Sequence, residues 1–125
     1  MKKNRIMSFA AVLLLLIGLC ACGAKTQASA KAVSVAKQAV EIADNYLDGK
    51  IKYEKATEQL DDLDMSYAYD DKSASHTADV AISTDLTMLR GAIVTDHFDQ
   101  TSESYNKVLA KRNEIAKDAG LKTRK

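Results

Sequence analysis

Proline and tryptophan are absent from the 125 residues, and glycine occurs only five times. With no proline to break a helix, and with Ala, Lys, Asp, Leu and Glu abundant, the chain reads as helical. Both cysteines, Cys20 and Cys22, stand near the start, so residues 23–125 carry no thiol and depend on packing for stability. No Gly-x-Ser-x-Gly turn and no Gly-rich phosphate loop occurs, and an all-helical chain has no strand on which to build a nucleophile elbow. His76 and His97 stand 21 positions apart, about 31 Å along one helix, and neither has metal-ligand spacing. Asp62, Asp64, Ser66 and Asp70 match positions of a calcium-binding loop, but Tyr67 stands where the turn needs glycine and Ser73 where a bidentate Glu is required. These absences exclude the common catalytic and metal-binding designs. The expectation is a protein that is not an enzyme and holds no metal or cofactor.

What is present is helical periodicity. Val33, Ala36, Val40, Ala43 and Leu47 form the apolar stripe of a first helix that ends at Gly49. Ile51, Ala56, Leu60 and Leu63 mark a second, shorter helix, and the brief join makes the two antiparallel. From about Ser73 to Ala119 the pattern changes phase. Ala78, Ile82, Leu86, Leu89 and Ile93 share one face, whereas Tyr105, Val108, Leu109, Arg112, Ile115, Ala116 and Ala119 share another, rotated by roughly 115°. One straight helix cannot bury both, so a bend or break is expected near Thr95 to Asp99; a long, gently curved helix is the alternative. The fold class is all-α, a three- to four-helix bundle over residues 31–120 with a basic tail at 121–125.

Charge is unevenly distributed. From Glu58 to Glu103 the net charge is −9, and from Ser104 to the end it is +5. Either oppositely charged helix faces lie side by side, or the basic end, with Lys107, Lys111 and Arg112, meets an anionic surface. Nucleic acid is not an expected partner, because no aromatic residues interleave with the basic ones. Leu63 to Asp70 alternates with period two, which suggests an extended connector that lays Met65, Tyr67 and Tyr69 over the bundle. Alternatively these three form a recognition loop, joined by Tyr46 and Tyr53 at the Gly49 turn.

The N-terminus has its own pattern. Lys2, Lys3 and Arg5 precede an apolar run from Ile6 to Leu19, about 21 Å long as a helix and so short of a roughly 30 Å hydrocarbon core. A basic start, an apolar stretch and a small-residue exit are the pattern of a signal peptide, with an uncleaved N-terminal anchor as the alternative. Leu19-Cys20-Ala21-Cys22 closes the run. It resembles the lipobox of bacterial lipoproteins. The resemblance implies recognition of Leu19, Cys20 and Ala21 by signal peptidase II, loss of residues 1–21 and a diacylglyceryl thioether on Cys22. Residues 22–30 would then be a lipidated, flexible tether. Removal of the three basic residues leaves 15 basic against 17 acidic side chains. The mature length suits one small domain, too short for a two-lobed solute receptor.

Tyr46-Leu47-Asp48-Gly49-Lys50-Ile51 and Arg112-Asn113-Glu114-Ile115-Ala116, with the lipobox, also resemble small helical lipoproteins of Gram-positive bacteria. That likeness implies an α-helical domain at the extracytoplasmic face of the cell membrane and no activity. Gly23 after the anchor would imply the outer membrane in a Gram-negative host. The functional expectation is a membrane-anchored envelope lipoprotein, its helical module binding an envelope protein or anionic wall polymer or serving structurally. The alternative is an accessory subunit of a membrane transporter or envelope enzyme.

Overall fold

The computed structural model describes residues 27–125. Helix α1 spans Ala30–Leu47, α2 Tyr53–Asp61, α3 His76–Asp99 and α4 Ser102–Asp118, with a 3-10 turn at Ser66–Tyr69; no strand occurs among the described residues. The chain is an all-α bundle in its four-helix form, running up, down, up and down, with α2 and α4 on opposite corners.

Two polar ties hold α1 and α3 side by side and parallel. At one end the Ser29 amide donates to Asp79 at 2.7 Å; at the other the Tyr46 hydroxyl donates to Asp96 at 2.6 Å. Both ties join residues 50 positions apart, so the register between the helices is the same at each end. Ser29 also caps α1 by accepting from the Ala32 amide. Asp79 is 1% exposed and accepts from the Ser75 hydroxyl as well. Its carboxylate lies at the first turns of both α1 and α3, where unpaired amides favour negative charge.

Ile82, Leu86, Leu89 and Ile93 of α3, with Val108 and Ile115 of α4, form the centre of the core. Against them α1 presents Ala32, Ala36, Ala39 and Ala43, all fully buried. The α1 stripe expected through Val33 and Val40 is therefore rotated: Val35, Ile42 and Leu47 accompany the alanines inside, and the two valines lie half-buried at the margin. Small side chains here let the helices approach closely, while the larger side chains of α3 and α4 fill the volume.

The expected break between the last two apolar stripes is real and lies just beyond Asp99. Gln100 takes a left-handed conformation, φ 50°, without being glycine. That costs on the order of 1 kcal/mol. Offsetting it, Thr101 and Ser104 form a reciprocal capping box for α4, each side chain accepting from the other's amide at 3.0 Å. The Ser104 hydroxyl donates to Asp96 at 2.6 Å, so the carboxylate already tied to α1 also fixes the turn.

One expectation fails. Met65 to Tyr69 is not an extended connector, because Ser66–Tyr69 turn as a 3-10 helix. Successive residues there advance about 120° instead of 180°, so positions two apart no longer share a face: Tyr67 is buried and Tyr69 exposed. The basic tail at 121–125 is held against the bundle. Gly120, φ 70°, reverses the chain after α4, and Asn113 then grips Arg124 from both sides, its amide nitrogen donating to the Arg124 carbonyl at 2.7 Å and its oxygen accepting from the Arg124 amide at 2.8 Å.

Leu89→Asp places a carboxylate at a fully buried position in the middle of α3. It is expected to cost about 4 kcal/mol or more, enough to unfold a small domain. Circular dichroism of the full chain should show the parent melting cooperatively from a helix-rich state and the variant losing that transition.

Candidate functional site

The sequence offered two surfaces, a basic end and a tyrosine loop, and the structure changes both. Arg112 is only 7% exposed. Its guanidinium makes a two-point pair with Asp44 at 2.9 and 3.1 Å and gives its remaining arm to the Lys122 carbonyl at 2.7 Å. Arg124 joins from the returning tail, donating to Asp44 at 3.2 Å and Asp48 at 2.7 Å. These arginines hold α4 and the C-terminus against α1, and Arg112 is unavailable to a partner. Lys111 pairs with Glu114 at 3.1 Å and Lys107 with Glu103 at 3.4 Å. The exposed Lys107–Glu103 pair contributes little to stability, so Lys107 is the accessible cation of the three.

The tyrosine loop lies at the other end of the bundle. Met65 accepts a hydrogen bond from the Ser83 hydroxyl through its sulfur, 3.3 Å away, and is half-buried. Tyr67 packs into the core, and burial with the Asp79 charge nearby pushes its phenol up to about 12. Tyr69, 82% exposed, is the member free to meet a partner. Asp64 is held down to about 2 by the Ser66 amide and hydroxyl and by Lys31, 3.2 Å away. It closes a turn. The described residues contain no group of three acidic, histidine or cysteine side chains that could hold a metal ion, and His76 and His97 stand near opposite ends of α3.

A third cluster, at the α1–α2 turn and the end of α3, was only partly visible in the sequence. Tyr53 stacks on His97 with ring centroids 3.6 Å apart, and Phe98 meets the His97 ring edge-on at 4.9 Å. Tyr46 and Tyr105 complete the rim of a shallow cleft of about 530 Å³. Tyr46 and Tyr53 do belong to one patch, but with His97 and Phe98 and not with Tyr67 and Tyr69. Burial and the bond to Asp96 hold the Tyr46 phenol well above its ordinary value, so it stays a donor. The pairing of Tyr53 with His97, 44 positions away, has no signal in spacing. A larger groove of about 810 Å³, lined by alanines such as Ala28, Ala78 and Ala119 together with Thr77, Lys117 and Asp118, opens where the described chain begins.

One polar contact between α3 and α4 is unfavourable at neutral pH. The Asp85 Oδ2 atom is shut off from solvent and meets no donor. Burial, the facing Asp118 carboxyl and Glu114 push the Asp85 carboxyl from an ordinary 3.8 up to about 7, against the opposing pull of Lys111. With a proton, Asp85 can donate to Asp118; without one, two carboxylates face each other. Folding therefore takes up a proton between pH 4 and 7, and stability should fall as pH rises through that range. Asp85→Asn is expected to flatten this slope, raising the Tm at pH 8 and leaving it close to the parent value at pH 5. Thermal melts at pH 5, 6, 7 and 8 test this, and an unchanged slope in the variant would exclude Asp85 as its source.

Leu19, Cys20, Ala21 and Cys22, with the rest of the expected signal peptide and the start of the tether, lie outside the described residues. No protein-family model, no curated protein and no solved structure matches the chain.

Proposed function

We propose that the protein is a lipoprotein of the cell envelope, tethered through Cys22 at the extracytoplasmic face of the cell membrane, where its helical bundle serves as a non-enzymatic binding or structural module. Leu19-Cys20-Ala21-Cys22, at the end of the apolar run that follows Lys2, Lys3 and Arg5, carries this reading. Two acyl chains anchor stably, at about 0.8 kcal/mol per buried methylene, where one chain would be marginal. No described helix is long and apolar enough to cross a membrane. The capping Ser29 lies seven positions after Cys22, which leaves a short leash between anchor and bundle. A partner, whether an envelope protein or anionic wall polymer, would find Tyr69 at one end of the bundle and Lys107 towards the other.

Intact mass of membrane-extracted protein is the direct test. The expected result is loss of residues 1–21 and an added diacylglyceryl group, and Cys22→Ser should give unprocessed or unlipidated chain. A product cut elsewhere and released in soluble form would overturn the proposal.

A further inference from the structure

We infer that the outer face of α3 is a self-association surface, docking antiparallel against α3 of a second copy. Three of the large hydrophobic side chains exposed in the bundle lie on this helix: Val80 at 38%, Met88 at 46% and Phe98 at 72%. At 100° per residue they fall on one stripe, opposite the buried Ile82, Leu86, Leu89 and Ile93, and the exposed positions between them are threonines and Gly91. Large apolar groups on the side opposite the core, with no Lys or Glu among them, mark a face that a second surface can cover. The stripe runs along the 24-residue helix, about 36 Å, and Asp99 at its last position is the one exposed carboxylate beside it.

Gly91 is the second observation. A glycine in mid-helix weakens the helix, and here nothing inside the fold requires it: a Cβ at this position would meet no atom within 4 Å. Its smallness is useful only to something that approaches from outside.

A second copy is the occupant that fits. The exposed positions mirror one another about the midpoint of the helix, between Thr87 and Met88. When two copies of α3 run antiparallel across a twofold axis there, Phe98 lies opposite Thr77, Val80 opposite Thr95, Met88 opposite Thr87 and Thr84 opposite Gly91. In every pair the larger side chain meets a smaller one. A charge-free face pairs with itself without repulsion, as a twofold interface requires. The flanking charges agree, since Arg90 is already neutralised by Asp61 at 2.7 Å, Asp85 turns towards α4, and Asp99 at the end of the helix falls opposite His76 of the second copy and not opposite its own like. A strip of about 36 by 11 Å is on the order of 400 Å² per copy, half of a standard interface, so the pairing is weak and reversible in free solution. Covalent trapping therefore reads it better than a sizing column, and the inference does not depend on the lipid anchor.

The test is thiol crosslinking of the full chain in whole cells with a short bismaleimide, the parent chain giving the baseline for Cys20 and Cys22. Thr87→Cys, beside the proposed twofold, should trap a dimer of this chain. Thr77→Cys and Phe98→Cys should each stay at baseline alone, because like positions lie about 31 Å apart, and should crosslink when coexpressed. Lys37→Cys, exposed on α1, should not crosslink. Adding Gly91→Arg, which meets open space in the single copy, should lower the Thr87→Cys dimer at least tenfold without changing the helical spectrum. Absence of the Thr87→Cys dimer, Phe98→Cys joining itself, capture of a different protein, or indifference to Gly91→Arg would overturn the inference.

Discussion

The bundle depends on the reversal at Gln100. Two long apolar stripes follow one another with neither proline nor glycine between them, and each can be buried only if the chain folds back. The reversal therefore uses a left-handed glutamine, and the surrounding polar contacts stabilise what backbone chemistry alone would not. Asp96 is central to this. It accepts from Ser104 at the start of α4 and from Tyr46 near the end of α1, so one carboxylate sets both the turn and the height of α1. The capping box adds a local stop to a sequence whose helix propensity is high on either side.

The segregated charges are resolved in an unexpected way. The basic end neutralises little of the acidic middle of the chain, Lys107 meeting only Glu103; its two arginines go to Asp44 of α1 and to Asp48 just beyond it. The Arg112 pair is largely removed from water, so its attraction and its desolvation penalty are both large and nearly offset each other. Its contribution is to fix which carboxylate meets which guanidinium. Much of the acidic surplus of α3 remains uncompensated. Asp85 faces Asp118 and Glu114 across the α3–α4 joint because the core stripes fix the rotation of both helices. Burial of Leu86, Leu89 and Ile115 outweighs the local repulsion.

Helix content, the break before α4 and the core residues of α3 were legible in the sequence because hydrophobic period and missing breakers report them directly. Arg112 was legible as an anomaly: an arginine within an apolar stripe has to be paired, although the partner, 68 positions away, has no local signal. The α1 stripe was misplaced by following valine, since alanines dominate its closest contacts. The 3-10 turn was missed because four residues of alternating polarity suit a strand as well as a tight turn, and the tertiary position of Tyr67 decides between them. The aromatic corner was half legible. Tyr46 and Tyr53 stood out beside Gly49, but their partnership with Asp96 and His97 exists only once α1 and α3 are parallel.

The α3 helix links these points. It carries the carboxylates that tie both ends of α1, supplies the centre of the core and keeps an uncharged outer face. A helix of mixed burial ordinarily marks its solvent side with Lys and Glu, which improve helix propensity and solubility. Along that side α3 instead has four threonines, a glycine and three large apolar groups, and all but Met88 are worse for an isolated helix than the Lys and Glu residues exposed on α2 and α4. Packing within one copy does not account for these residues, since they are exposed and Gly91 meets nothing. The stability given up on that face is recoverable only through contact with another surface, which makes the outer side of α3, and not the ends of the bundle, the part of this protein most clearly shaped by something beyond its own fold.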